Sequence, residues 1–123
     1  MTAWDPDDLA AMDGAEELLV AAHRTDGTLR PATIVWHVVV DGAPFVRSVH
    51  GEAGGWYRAV RRTGTGTVEA GGVRADVRFT RDDTHDEAVD RAYVAKYGEG
   101  PDVVAIIDAT ATATTTRVDL VGR

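Results

Sequence analysis

The sequence contains no cysteine, which excludes disulfides, thiolate nucleophiles and thiolate metal sites. Lysine is nearly absent too: Lys96 stands alone beside twelve arginines, a chain-wide bias that makes arginine by itself weak evidence of function. Positive charge is in deficit overall, with a net charge of −7 and an isoelectric point near 4.9. General nucleic-acid binding needs a broad basic surface, so nucleic acid is not an expected partner. No apolar run is long enough to span a bilayer, and the opening MTAWDPDD is acidic with no apolar stretch. We therefore expect a soluble, cytoplasmic protein without a membrane partner. His23, His37, His50 and His85 fall in no H-x-H, H-x-x-x-H or H-E-x-x-H spacing, so no metal site is expected. No serine sits in a G-x-S-x-G setting, and Gly64-Thr65-Gly66-Thr67 lacks the lysine of a phosphate loop.

What is present is an ordinary globular composition, 44% hydrophobic over 123 residues, which suits one domain, residues 1–123, around one modest core. A first helix is predicted from Asp5, whose carboxylate can cap it, with Pro6 at the first helical position and Gly14 as its stop. A strand from Glu17 to His23 leads to the turn Thr25-Asp26-Gly27. TIVWHVVV, Thr33 to Val40, reads as one strand buried on both faces. Asp41-Gly42 turns it into a return strand, Pro44 to His50. WYRAVRRT reads as a short helix. GTVEAGG and VRADVRFTR are two further strands, the second with clean alternation. Thr84 with Glu87 forms a capping box for the next helix, which Gly98 ends. DVVAIIDA reads as a last short helix and TATTTRVDLV as a final strand. The sum is an α+β domain: a mainly antiparallel, six-stranded split β-barrel with three to four short helices.

Inside this acidic chain lies a basic island. Phe45 to Gly64 carries Arg47, Arg58, Arg61 and Arg62 against one acid, Glu52. Arg58, Arg61 and Arg62 share one helical face, and Trp56, Ala59 and Val60 share another. Like charges at that spacing repel and require a counter-charge. Two readings are open: an anion pocket, or pairing with the acidic first twenty residues. Trp36, Trp56 and Tyr57 are either pocket walls or core, with core favoured for Trp36. His50, on a glycine loop, is the candidate catalytic acid or base.

The R-x-D-G turn, the V-R-S-x-x-G segment, the W-Y-R helix start, the A-G-G-V turn and the A-Y-x-x-K-Y helix carry a resemblance. With them the chain resembles the flavin-reductase-like split β-barrels. Among these it is similar to the deazaflavin-dependent nitroreductase group, and most of all to an uncharacterised bacterial family of about this length. The resemblance runs from about Trp4 to Val121. It implies a phosphate site at Arg24, Thr25, Gly27 and Arg30, and at Ser48, His50, Gly51 and Trp56 to Arg58. An acid, Asp26, stands where that group has a hydroxyl, and RAVRRTG replaces its N-x-x-A-N-P.

These readings lead to a small-molecule oxidoreductase using FMN or a deazaflavin. Arg24, Arg30, Arg47, Ser48, Gly51, Trp56, Tyr57, Arg58 and Arg61 would hold the cofactor. Two alternatives stay open. One is a cofactor-free enzyme in which His50 or His37 moves a proton on an anionic or aromatic metabolite. The other is a non-catalytic, dimeric ligand-binding module. In each case the partner is a small molecule, and a homodimer is expected.

Overall fold

A computed structural model of the chain describes residues 3–121. In chain order these form α1 (Pro6–Gly14), β1 (Leu18–Ala22), β2 (Thr33–Val35), β3 (His37–Val40), β4 (Ala43–Val46), a 3-10 turn (Gly51–Ala53), α2 (Gly55–Thr63), β5 (Thr65–Ala70), β6 (Val73–Arg81), α3 (Asp86–Tyr97), α4 (Pro101–Ile107), α5 (Ala109–Thr112) and β7 (Thr116–Leu120). The α+β class and the antiparallel sheet are as expected. The described residues hold seven strands and five α-helices, however, not six and three to four.

All neighbours in the sheet are antiparallel, in the order β2-β1-β5-β6-β7-β4-β3. Its two edge strands, β2 and β3, are consecutive in sequence and joined through Trp36 alone. The sheet is thus bent round into a nearly closed barrel. Leu18, Val20, Val68, Val77, Phe45 and Val118 are buried in its core. Along β6, Ala75, Val77 and Phe79 are buried while Arg74, Asp76 and Arg78 are exposed, as the alternation requires.

The seventh strand arises because TIVWHVVV breaks at Trp36. Val35 pairs with Leu18 on one side of the break, and His37 with Val46 on the other. The backbone of this corner is satisfied by α3. The Tyr93 hydroxyl donates to the Trp36 carbonyl (3.2 Å), the His37 amide donates to the Tyr97 hydroxyl (3.1 Å), and the Lys96 ammonium donates to the His37 carbonyl (3.1 Å). The Tyr97 ring stacks on Trp36 with centroids 4.1 Å apart. A-Y-x-x-K-Y is therefore a corner clamp. Burial on both faces also fails for β2, where Thr33 and Ile34 are exposed.

The extra helix comes from the threonine-rich run. Asp108 accepts from the Ala111 amide and starts α5, so the last strand begins only at Thr116. At the amino end, Asp5 caps α1 as predicted, accepting from Asp7 and Asp8 amides. The capping box at Thr84 does not form: Thr84 gives its amide and hydroxyl to Asp82, and His85 takes the cap position of α3.

That cluster carries a pH prediction. Burial opposes the Asp82 charge, but bonds from the Thr84 hydroxyl and amide and from His85 outweigh it and hold the carboxyl at about 2. Hydrogen bonds to Asp41 and Asp82 raise the His85 pKa above its ordinary 6.5. A carboxyl depressed in the fold stabilises above its ordinary 3.8, and that stability is lost as pH falls toward 2. A raised histidine stabilises below 6.5, and that contribution is lost as pH rises through its folded value. Urea midpoints across this range should fall on both sides; His85→Ala should remove the alkaline fall and lessen the acid one, which the Thr84 bonds to Asp82 would still sustain.

Candidate functional site

Beyond β4 the chain runs through Arg47, Ser48, Val49 and His50 into the 3-10 turn and α2. Gly51 has φ +66° and packs on Thr110, so only glycine fits this turn easily. The α2 helix presents two faces as its sequence predicts: Val60 is buried and Trp56 and Ala59 half-buried, while Arg58, Arg61 and Arg62 are exposed.

Each face borders a cleft. One cleft, of about 480 Å³, is lined by Ile34, Trp36, Val49, His50 and Trp56, with Asp102 and Ile106 of α4 on its far wall. It shares Thr33 and Trp56 with a neighbouring cleft of about 330 Å³ that Arg30 and Gly55 line. On the other face, Tyr57, Arg58, Arg61, Arg62 and Arg81 line an open groove of about 620 Å³ with Glu52 as its one acid. Among the described residues, Arg58, Arg61 and Arg62 form no ion pair. The acidic arm therefore does not neutralise them. Asp5 caps α1, and Asp13 faces Lys96. The first amides of α2 have no side-chain cap, which leaves the positive end of the helix available to an anion. Ser48 is buried against Gly54, and its hydroxyl has no hydrogen-bond partner.

Two other expected ligands are engaged by partners within the protein, although Arg47 borders the cleft of about 480 Å³. Arg47 has a fully buried side chain. It donates to the Thr115 hydroxyl (2.8 Å), the Ile106 carbonyl (3.2 Å), the Asp86 carbonyl (3.1 Å) and the Asp90 carboxylate. It ties the end of β4 to α3, α4 and the start of β7, so its fork is committed within the protein. Arg24 donates to the Thr28 hydroxyl and the Leu29 carbonyl, closing its own turn. Asp26 accepts from the Thr28 hydroxyl and amide, which lower its pKa. His37 is buried and gives Nε2–H to the Met12 carbonyl (2.6 Å); burial pushes its pKa below 6.5, so the ring is neutral. It does not reach the cleft, whereas His50 is exposed on the cleft wall.

The structure thus gathers Arg30, Arg47, His50 and Trp56 along one run of clefts, Arg47 with its fork turned inward, and Tyr57, Arg58 and Arg61 in the groove behind. Sequence reasoning missed Ile34, Arg81 and Asp102, which reach these walls from β2, β6 and α4. The only local signal was Arg81 at the end of the β6 alternation. Trp36, assigned to the core, is half-buried and lines the cleft.

A family model described as "Uncharacterized protein conserved in bacteria (DUF2255)" matches residues 8–118. No curated protein matches the sequence. Among solved structures, the heme storage protein HutZ from Vibrio cholerae is similar at TM-score 0.66 and 12% identity, over 99% of this chain and 92% of that one. A FAD-binding protein from Mesorhizobium loti is similar at TM-score 0.55 and 14% identity, over 99% and 93%. An F420 reductase is similar at TM-score 0.54 and 14% identity, over 92% of each chain. At such identities the likeness concerns the fold.

Proposed function

The chain belongs to the DUF2255 family of uncharacterized bacterial proteins, and from its clefts we propose a small-molecule oxidoreductase that binds FMN or a deazaflavin. The observation that carries this reading is the run of clefts from Arg30 past Trp56 to Trp36, beside a helix start with uncapped amides. Similar folds that bind FAD or act on F420 support it. Trp36, Trp56 and Val49 would wall a flat ring and keep water from it. Arg30, the first amides of α2 and the buried Ser48 hydroxyl suit a phosphate. Gly51 keeps the turn tight, and Arg58 and Arg61, in the groove that Tyr57 also lines, extend the positive surface. When bound, such a ring supplies hydride transfer; His50 would hold or deliver a proton at the cleft wall. Arg24 and Arg47 take no direct part. A second copy would cover the exposed Ile34 and Val49 at the mouth, making the protein a homodimer.

The test is a tryptophan-fluorescence titration with FMN and with a deazaflavin, alongside the visible spectrum and sedimentation velocity of the purified protein. Saturable quenching of Trp56, weakened about tenfold in Arg30→Ala, which removes the arginine lining the same cleft, is expected, since a hydrogen bond to a charged group contributes ~1.5–3 kcal/mol. A colourless protein indifferent to both compounds would overturn the reading.

A second reading rests on His50, whose imidazole has no hydrogen-bond partner among the described residues and faces the most apolar cleft. Its free ring nitrogen would be available to hold a haem iron. Haemin added in the same titration should then give a Soret shift that His50→Ala abolishes.

A further inference from the structure

The corner clamp lines a second cavity that the oxidoreductase reading does not use. About 370 Å³ open beside the end of α1 and α3, walled by Asp13, Glu16, Trp36, Lys96 and Tyr97. Lys96 is the only lysine of the chain, and its side chain is 16% exposed. Its nitrogen donates to the His37 carbonyl (3.1 Å), stands 3.8 Å from the Asp13 carboxylate and lies 5.3 Å from the centre of the Tyr97 ring. His37 Nε2 is 3.4 Å away but directs its own proton to Met12, so it does not accept from the amine. The Tyr97 hydroxyl is taken up by the His37 amide and the Glu16 carbonyl.

A guanidinium would serve the carbonyl and the Asp13 pair at least as well, and arginine occupies every other basic position. What an amine alone adds is a proton it can lose and a nucleophilic lone pair. Burial lowers the Lys96 pKa, against the opposing pull of Asp13.

We propose that Lys96 is the amine of a Schiff-base site that takes a small neutral aldehyde or ketone into this cavity. The ammonium first releases a proton to Asp13 or water. The amine then attacks the carbonyl carbon, forming a C–N bond. The carbonyl oxygen leaves as water with the two remaining amine hydrogens, passed through solvent, and a C=N bond remains. No electron acceptor or donor enters. Asp13 and Glu16 at the mouth oppose carbonyl compounds that carry a carboxylate or phosphate.

The experiment incubates the full-length protein with benzaldehyde, or with glyoxylate, and reduces any imine with cyanoborohydride. Benzylation at Lys96 blocks tryptic cleavage there and fuses the peptides on either side into one spanning residues 92–117, apart from any label on the amino terminus. Lys96 should label several-fold faster than Nα-acetyl-lysine amide, and the advantage should vanish in urea. Glyoxylate, normalised to the same amide, should show a smaller advantage than benzaldehyde. Lys96→Arg, folded by circular dichroism, should give no fused peptide. Labelling no faster than the model amine, in folded wild-type protein, would overturn the proposal. An equal advantage for glyoxylate would overturn its preference for neutral carbonyls. Because the readout is on Lys96, failure of the flavin titration leaves this result unaffected.

Discussion

Arg47→Ala should cost about 3–5 kcal/mol of stability, read as a lower urea midpoint, because it removes one partner of a buried ion pair. The value should fall toward the lower end, since the carboxylates are not sealed off: the Asp90 side chain is 38% exposed and that of Asp86 33%. What cannot rehydrate is the rest of the socket, the Ile106 carbonyl and the Thr115 hydroxyl, which accept from the guanidinium within the core; the hydroxyl would keep only its own bond to the Thr112 carbonyl. Arg47→Lys should recover only part of the loss. A single ammonium can meet Asp90, but it lacks the fork that reaches β7, α3 and α4 together. Asp90→Asn should cost less than either, because three other acceptors remain. The practical reading is that a binding defect in Arg47→Ala reports unfolding, and Arg30, which lines the cleft beside Trp56, is the residue with which to test for a phosphate.

Gly71→Ala should cost about 3 kcal/mol, from two effects that Gly72→Ala separates. Gly71 has φ +59°, and a Cβ there would sit 2.1 Å from the Ala11 carbonyl oxygen and 2.6 Å from its carbon. Holding an L-residue at positive φ costs on the order of 1 kcal/mol or more. Pressing a methyl into backbone adds about 1–3 kcal/mol, because α1 has no flexible end to move aside. Gly72 also has positive φ, +82°, but open space around it, so Gly72→Ala should incur only the backbone cost, about 1 kcal/mol. Urea melts followed by Trp4, whose indole N–H donates to the Val118 carbonyl, should show the difference as loosening of α1.

Local chemistry made much of this fold legible. Asp5, Pro6 and Gly14 bound α1 through capping and backbone preference. Asp41-Gly42 turns β3 into β4 with positive φ at both residues, which those residue types tolerate. The amphipathic division of α2 followed from spacing. What was not legible depends on partners far along the chain. TIVWHVVV breaks because Val35 and His37 pair with strands at opposite ends of the sheet order, and α3 supplies the hydrogen bonds of the corner. Arg47 and Arg58 look alike in sequence; what separates them is Asp90, 43 residues from Arg47. Local spacing gave the basic face of α2, whereas the fate of each arginine depended on how the barrel bends.

Trp36 lines both the cleft beside Trp56 and the cavity holding Lys96, with Tyr97 stacked on it. One indole is therefore a partition shared by two chambers. Trimming it to alanine would make a breach in the wall, and the two chambers would merge into a passage beneath the sheet seam. A guest on one side would then contend for volume with a guest on the other. In the intact protein the same ring is a common sounding board: its fluorescence should respond to occupancy of either chamber, even when the two occupants never touch.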